Sequence, residues 1–156
     1  MHSPTSLFFA RMRAPEAGMS PRDTRTGGVL EAMVLPALRR GGYAFETQVN
    51  IGRRPGGRNH KVDAVAHRGE RRWLVSLKWQ QVGGTAEQKV PFEVICLAEA
   101  LGQGGYEGAY LVLGGEGWKL RDFYVGGGLS KYLRNIERVA IVTLEAFVAN
   151  ANTGRL

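Results

Sequence analysis

Cysteine is almost missing from this chain. Cys96 is the one thiol in 156 residues, so neither an intrachain disulfide nor a cysteine zinc site can form. It falls among Val94, Ile95 and Leu97, a setting that suits a buried, inert thiol. Histidine is nearly as scarce. Only His2, His60 and His67 occur, without His-x-Glu or paired-His spacing, which argues against zinc hydrolase chemistry. His67 reads as a surface residue near a turn. Long apolar runs are lacking too, so no bilayer-spanning helix is expected. The stretch Leu7-Phe8-Phe9-Ala10 is too short for a secretion signal. These absences lead to an expected cytoplasmic location with no membrane partner. There is no internal repeat and no GxxxxGK[ST] phosphate loop.

Positive charge, by contrast, is abundant. The formal net charge is +7 and the pI is near 10.0, which points to a polyanionic partner, with nucleic acid the leading candidate. The excess gathers in Arg53, Arg54, Arg58 and Lys61, again in Arg68, Arg71 and Arg72, and further on at Lys89. An apolar fraction of 44% is enough for a real core, and the length fits one domain.

The segment from His60 to Gln80 carries the sharpest signal. Val62, Ala64 and Ala66 alternate with Lys61, Asp63 and Val65; Trp73, Val75, Leu77 and Trp79 alternate with Leu74, Ser76 and Lys78. Both runs have the period of a strand. Gly69-Glu70 between them suits a type II′ hairpin turn. If Arg68 pairs with Arg71, Asp63 faces Ser76 and Lys61 faces Lys78. Asp63, Ser76, Lys78 and Gln80 then project to one side of the sheet, and Val62, Ala64, Ala66, Trp73, Val75, Leu77 and Trp79 form a core surface on the other. A carboxylate beside a lysine at one end of a small sheet is what metal-dependent phosphodiester hydrolysis requires.

Around this hairpin the expected order is α-β-β-β-α-β-(α)-β-α. Residues 1–22 lack periodicity and read as a flexible extension, with a single domain over 23–156. A helix is expected from Thr26 to Arg40, with Leu30, Met33, Val34, Ala37 and Leu38 on its apolar stripe, Glu31 on the border, and a kink at Pro36. A strand follows over Tyr43–Ile51, then a mobile basic loop over Gly52–Asn59. After the hairpin, Thr85 and Gln88 have capping-box spacing ahead of a helix that runs to about Leu101 despite Pro91. A strand at Ala109–Leu113, short helical pieces at Trp118–Tyr124 and Leu129–Leu133, a strand at Arg138–Thr143 and a helix at Leu144–Ala151 capped by Thr143 complete the chain.

These residues resemble the PD-(D/E)xK nuclease superfamily over roughly residues 26–113. The resemblance implies an α/β, restriction-endonuclease-like core with a central mixed β-sheet flanked by helices. It makes Asp63 the metal-binding aspartate, places Ser76-Leu77-Lys78 where an acidic-x-Lys element normally falls, and matches Glu31 to a glutamate that many members carry on the first helix. Ser76 departs from the pattern, because a serine supplies no negative charge. Glu93, on the following helix, or Glu87, nearer the loop, is the candidate replacement, with Glu93 favoured; Gln80 could ligate through its amide oxygen or hold a metal-bound water. Within the superfamily, the stretches Leu30-Glu31-Ala32-Met33-Val34 and Arg40-Gly41-Gly42-Tyr43 are similar to the opening of archaeal-type Holliday junction resolvases, which also occur in phages; a phage-encoded chain would act in the host cytoplasm. That implies a Mg²⁺-dependent endonuclease, with Mn²⁺ as the substitute cation. It would act as a homodimer on branched four-way DNA, with Glu31, Asp63, Ser76, Lys78 and Gln80 in catalysis, Asp63, Glu31 and Glu93 at the metal, and Arg53, Arg54, Arg58, Lys61 and Lys89 on DNA. Rival expectations are a restriction-type or repair endonuclease cutting duplex DNA, and a DNA-binding module without catalysis.

Overall fold

The computed structural model describes residues 21–156, with side chains from Arg25 onward; the expected N-terminal extension lies, through residue 20, outside the described residues. Three strands form an antiparallel meander: β1 (Ala44–Arg53), β2 (Asn59–Arg68) and β3 (Arg71–Trp79). Two more, β4 (Gly108–Gly114) and β5 (Val139–Thr143), add in parallel, so the sheet is mixed and its order is β1-β2-β3-β4-β5. Parallel neighbours need long crossovers. Helix α3 (Ala86–Gly102) makes the first; α4 (Arg121–Val125) and a 3₁₀ turn (Gly128–Lys131) make the second.

Both faces of the sheet are covered, as a sheet with parallel central strands demands. On one face lie α1 (Pro21–Val29), a π-helical turn (Leu30–Val34), α2 (Leu35–Arg40) and α5 (Leu144–Asn152). Their Leu30, Val34, Leu38 and Phe147 bury Ala64, Ala66, Trp73, Val75, Leu77 and Val112. On the other face Val90, Val94, Leu97 and Leu101 of α3 recur at helical spacing. They pack on Val65, Leu74, Leu111 and Leu113.

The expected kink at Pro36 takes a different form. Leu35 donates its N–H five residues back, to the Leu30 carbonyl, and Pro36 falls in the first turn of α2. Proline has no N–H to give, so the helix widens by one residue and restarts where none is required. The capping box is corrected as well. The Thr85 side chain caps nothing; the Ala86 N–H is taken by the Gln80 side-chain oxygen at 3.1 Å, while Gln80 Nε2 donates to the Gly117 carbonyl at 2.8 Å. The expected mobile loop narrows to a turn over residues 54–58, closed by Arg54 N to Arg58 O at 2.7 Å. The hairpin turn keeps Gly69 at φ +63°, with Glu70 on the ordinary side of φ, as a type II′ turn requires. Thr143 does cap α5, its Oγ1 accepting from Ala146 N at 3.1 Å.

Gln80 is buried and ties the start of α3 to the segment before α4. Gln80→Ala leaves a buried N–H and a carbonyl without partners, so we expect a loss of about 1–3 kcal/mol in stability, read as a lower urea midpoint with the m-value unchanged.

Candidate active site

The register of the hairpin is as the alternation predicts from Arg68–Arg71 to Ala64–Val75, where the pairing ends. Beyond it Leu77 donates its backbone N–H to the Asp63 carboxylate, Oδ2, at 2.7 Å. A side chain takes over where the ladder would have continued, and the two strands part. β3 stays paired with β4 as far as Trp79–Gly114, so it is β2 that leaves.

The alternation of β2 breaks at the same residue. Val62 packs with Val65 and Leu74 under α3, whereas Ala64 and Ala66 pack on the opposite face. This corrects the expectation that Val62 shares a surface with Ala64. The edge strand does likewise: Phe45 packs on the α5 side, Val49 and Ile51 on the α3 side. The pairs Thr47–Ala64 and Val49–Val62 bracket the switch, which places Gln48 opposite Asp63. Gln48 has φ +52°.

The gap is a cleft of about 380 Å³, lined among others by Gln48, Arg54, Lys61, Asp63, Ser76, Lys78, Lys89 and Glu93. Thr26 and Gly27 of α1 and Trp79 of β3 complete its wall, with the Arg25 guanidinium stacked over the Trp79 ring at 5.6 Å. Helix α3 contributes Ala86, Lys89 and Glu93, spaced three and four residues apart on one face.

Two carboxylates meet there under different conditions. Burial pushes Asp63 above the ordinary aspartate range, and the negative charge of Glu93 adds to the push; the Leu77 N–H, the Lys78 ammonium and the Gln48 amide only partly offset them. Burial also opposes ionisation of Glu93, but a hydrogen bond from His60, the charge of Lys78 and the Ser76 hydroxyl outweigh it and hold Glu93 below the usual glutamate range. Ser76 Oγ donates to Glu93 Oε2 at 2.9 Å, and His60 Nε2 lies 3.5 Å from the same oxygen. Ser76 thus receives on its hydroxyl a carboxylate delivered by the helix.

Of the residues singled out in the sequence, the fold brings Asp63, Ser76, Lys78, Glu93, Arg54, Lys61 and Lys89 to this cleft. Others lie elsewhere. Glu31 is exposed on the π-helical turn and does not line the cleft, to which the first helix offers Thr26 and Gly27. Gln80 is buried and does not line the cleft, with both ends of its amide engaged by the backbone. Glu87 is buried and accepts from Leu120 N, anchoring the segment before α4. Arg53 reaches the Gly57 carbonyl at 2.8 Å, and Arg58 is exposed on the same turn. His60 and Gln48 were missed, since strict alternation turns His60 away from Asp63 and nothing in the sequence marks Gln48.

The donor set is carboxylate oxygen, which suits a hard cation such as Mg²⁺. Among the described residues no group of three or more His, Cys, Asp or Glu is arranged to hold a metal. Asp63 and Glu93 would therefore supply two ligands and leave room for water and substrate. Among the described residues the buried side-chain donors without a partner are Arg54 Nε and Trp79 Nε1. Both residues line the cleft.

No helix among the described residues is long and apolar enough to cross a membrane. No curated protein matches the sequence. One solved structure, of a protein of unknown function, is similar at 13% identity, covering 70% of this chain and 54% of that one, with a TM-score of 0.46. Another, the small subunit of a heterodimeric restriction endonuclease, is similar at 13% identity, covering 76% of this chain and 66% of that one, with a TM-score of 0.37. The chain thus spans about half the length of the first of these. The family description "PD-(D/E)XK nuclease superfamily domain" matches residues 22–155, which include the cleft and every element that builds it: the chain belongs to the PD-(D/E)XK nuclease superfamily.

Proposed function

We propose that this chain is a Mg²⁺-dependent endodeoxyribonuclease in which Asp63 and Glu93 hold the cation and Lys78 serves the reacting phosphate. The observation that carries this reading is the meeting of those three side chains in one cleft with Arg54, Lys61 and Lys89. A divalent cation, when bound, supplies Lewis acidity toward a phosphate oxygen and a water acidified for attack. The chain does the rest. Leu77 N–H fixes one oxygen of Asp63. Ser76 and His60 fix Glu93, so Ser76 orients a carboxylate and is not itself a ligand. Lys78 orients the attacking water and stabilises charge developing on the phosphoryl oxygens. Arg54, Lys61 and Lys89 hold the flanking phosphates. Among the described residues the close ion pairs are Arg71–Glu107, Arg121–Asp122 and His60–Glu93, so these cations have no acidic partner to surrender when DNA arrives.

The finer reading is that branched four-way DNA is the substrate, nicked symmetrically by a homodimer. Its support is the likeness of the opening helix and basic turn to archaeal-type junction resolvases; Glu31, part of that likeness, lies off the cleft. Labelled four-way junction, matching duplex and single strand offered with Mg²⁺ decide the matter. Paired nicks confined to the junction, from a protein that sediments as a dimer, are the expected result. Equal cutting of linear duplex indicates a restriction-type or repair enzyme. Intact DNA with both Mg²⁺ and Mn²⁺ indicates a binding module alone. Binding to DNA should weaken linearly in log K against log salt as the arginines and lysines release counterions.

Point variants separate the roles. Asp63→Asn, Glu93→Gln and Lys78→Ala should each lower single-turnover cleavage by about 10²-fold or more while retaining DNA affinity in a gel-shift assay. Glu31→Gln should cut at close to the wild-type rate, and Glu87→Gln should lose stability before it loses chemistry.

The pKa directions give a pH signature. Asp63 titrates higher folded than unfolded, so between the ordinary aspartate value and its raised value the folded state holds more protons. Its ionisation at neutral pH therefore weakens the metal-free protein, and that penalty fades as pH falls through the window. Glu93 acts in the opposite sense: what it contributes is present above the ordinary glutamate value and is lost as pH falls through its depressed one. Metal-free Asp63→Asn should accordingly melt above wild type at neutral pH, with the gap closing in acid. Mg²⁺ should raise the melting temperature of wild type and leave that of Asp63→Asn unmoved.

A further inference from the structure

Among the described residues the non-glycine positions with positive φ are Gln48, at +52°, and Asn135, at +60°. Asparagine tolerates the left-handed region; a glutamine in the middle of a strand rarely enters it. Strain of this kind gathers at functional sites, and Gln48 stands opposite Asp63 on the neighbouring strand, where both strands change face. Its side chain lines the cleft. Glycine or asparagine would hold this backbone more easily; what glutamine adds is a long arm ending in an amide.

We propose that Gln48 is a positioning residue: its left-handed backbone turns the side-chain amide into the cleft, where it sets the Asp63 carboxylate in the orientation that binds a divalent cation. This rests on the metal-nuclease reading of the cleft. Asp63 is held from β3 by the Leu77 N–H at 2.7 Å and is faced from β1 by Gln48, whose amide favours its charged form. The first contact fixes one oxygen, and the proposed role of the Gln48 amide is to stop the carboxyl group from swinging about it. Gln48 is exposed on an edge strand, so removing its side chain takes nothing from the core.

The test is Gln48→Gly, because glycine accepts the same backbone without strain and lacks the amide. Thermal melting and Mn²⁺ titration by calorimetry are read on wild type, Gln48→Gly and Asp63→Asn. The expected result is a melting temperature at or above wild type for Gln48→Gly, together with Mn²⁺ affinity weakened about tenfold or more, as for other residues that orient a ligand. Cleavage with Mn²⁺ should fall in parallel. Wild-type binding of Mn²⁺ that Gln48→Gly leaves unchanged overturns the proposal alone. So does a variant that loses metal only because it loses stability. Wild type that binds no Mn²⁺, or Asp63→Asn that binds it as well as wild type, overturns the metal-nuclease reading and the proposal with it.

Discussion

A single hydrogen bond, from the Leu77 N–H to the Asp63 carboxylate, governs how this molecule is built around its cleft. In an unbroken antiparallel pair that N–H would be spent on a neighbouring carbonyl. Giving it to a side chain ends the ladder, frees β2 to diverge from β3, and leaves a wedge of space at the sheet's end that no strand fills. The same bond fixes the carboxylate that lines this space. Opening and armament come from one interaction, so a substitution that restored the ladder would close the site as well.

The electrostatics follow from what surrounds the wedge. Asp63 is reluctant to ionise because it is desolvated and shares the space with Glu93, while Glu93 is kept charged by His60, Lys78 and Ser76. The cleft thus carries the negative charge of Glu93 together with positive charge from Arg54, Lys61 and Lys89. Under the proposed function a divalent cation would complement the first and a phosphate chain the second. Arg54 Nε is buried without a partner, although buried donors are normally satisfied, and its residue lines the cleft.

The hairpin was the most legible part of the sequence, because period-two alternation and a Gly-Glu turn fix strand type and register together. The same alternation misled at Asp63. It carries no mark of a strand that changes face, so Val62 was assigned to the wrong surface and His60 was passed over. Glu93 was within reach, because its helical spacing from Val90 and Leu97 turns it toward the sheet. Gln80 and Glu87 show the limit of polarity as a guide. Both are polar, near the site in sequence, and buried, yet both serve the backbone: Gln80 the start of α3, Glu87 the Leu120 amide. Nothing in their neighbours distinguishes a buried cap from a ligand. Glu31 matched a family position but is exposed on the π-helical turn and does not line the cleft.

Placing the second carboxylate on α3 and not on β3 has a structural cost and a use. A strand-borne pair would come with the hairpin, a local unit of two neighbouring strands. Here Asp63 and Glu93 are joined only when α3 seats against the sheet through Val90, Val94 and Leu97. A partly folded chain, or an excised hairpin, would carry one carboxylate without the other, and under the proposed function cation affinity would gauge whether the two layers have docked.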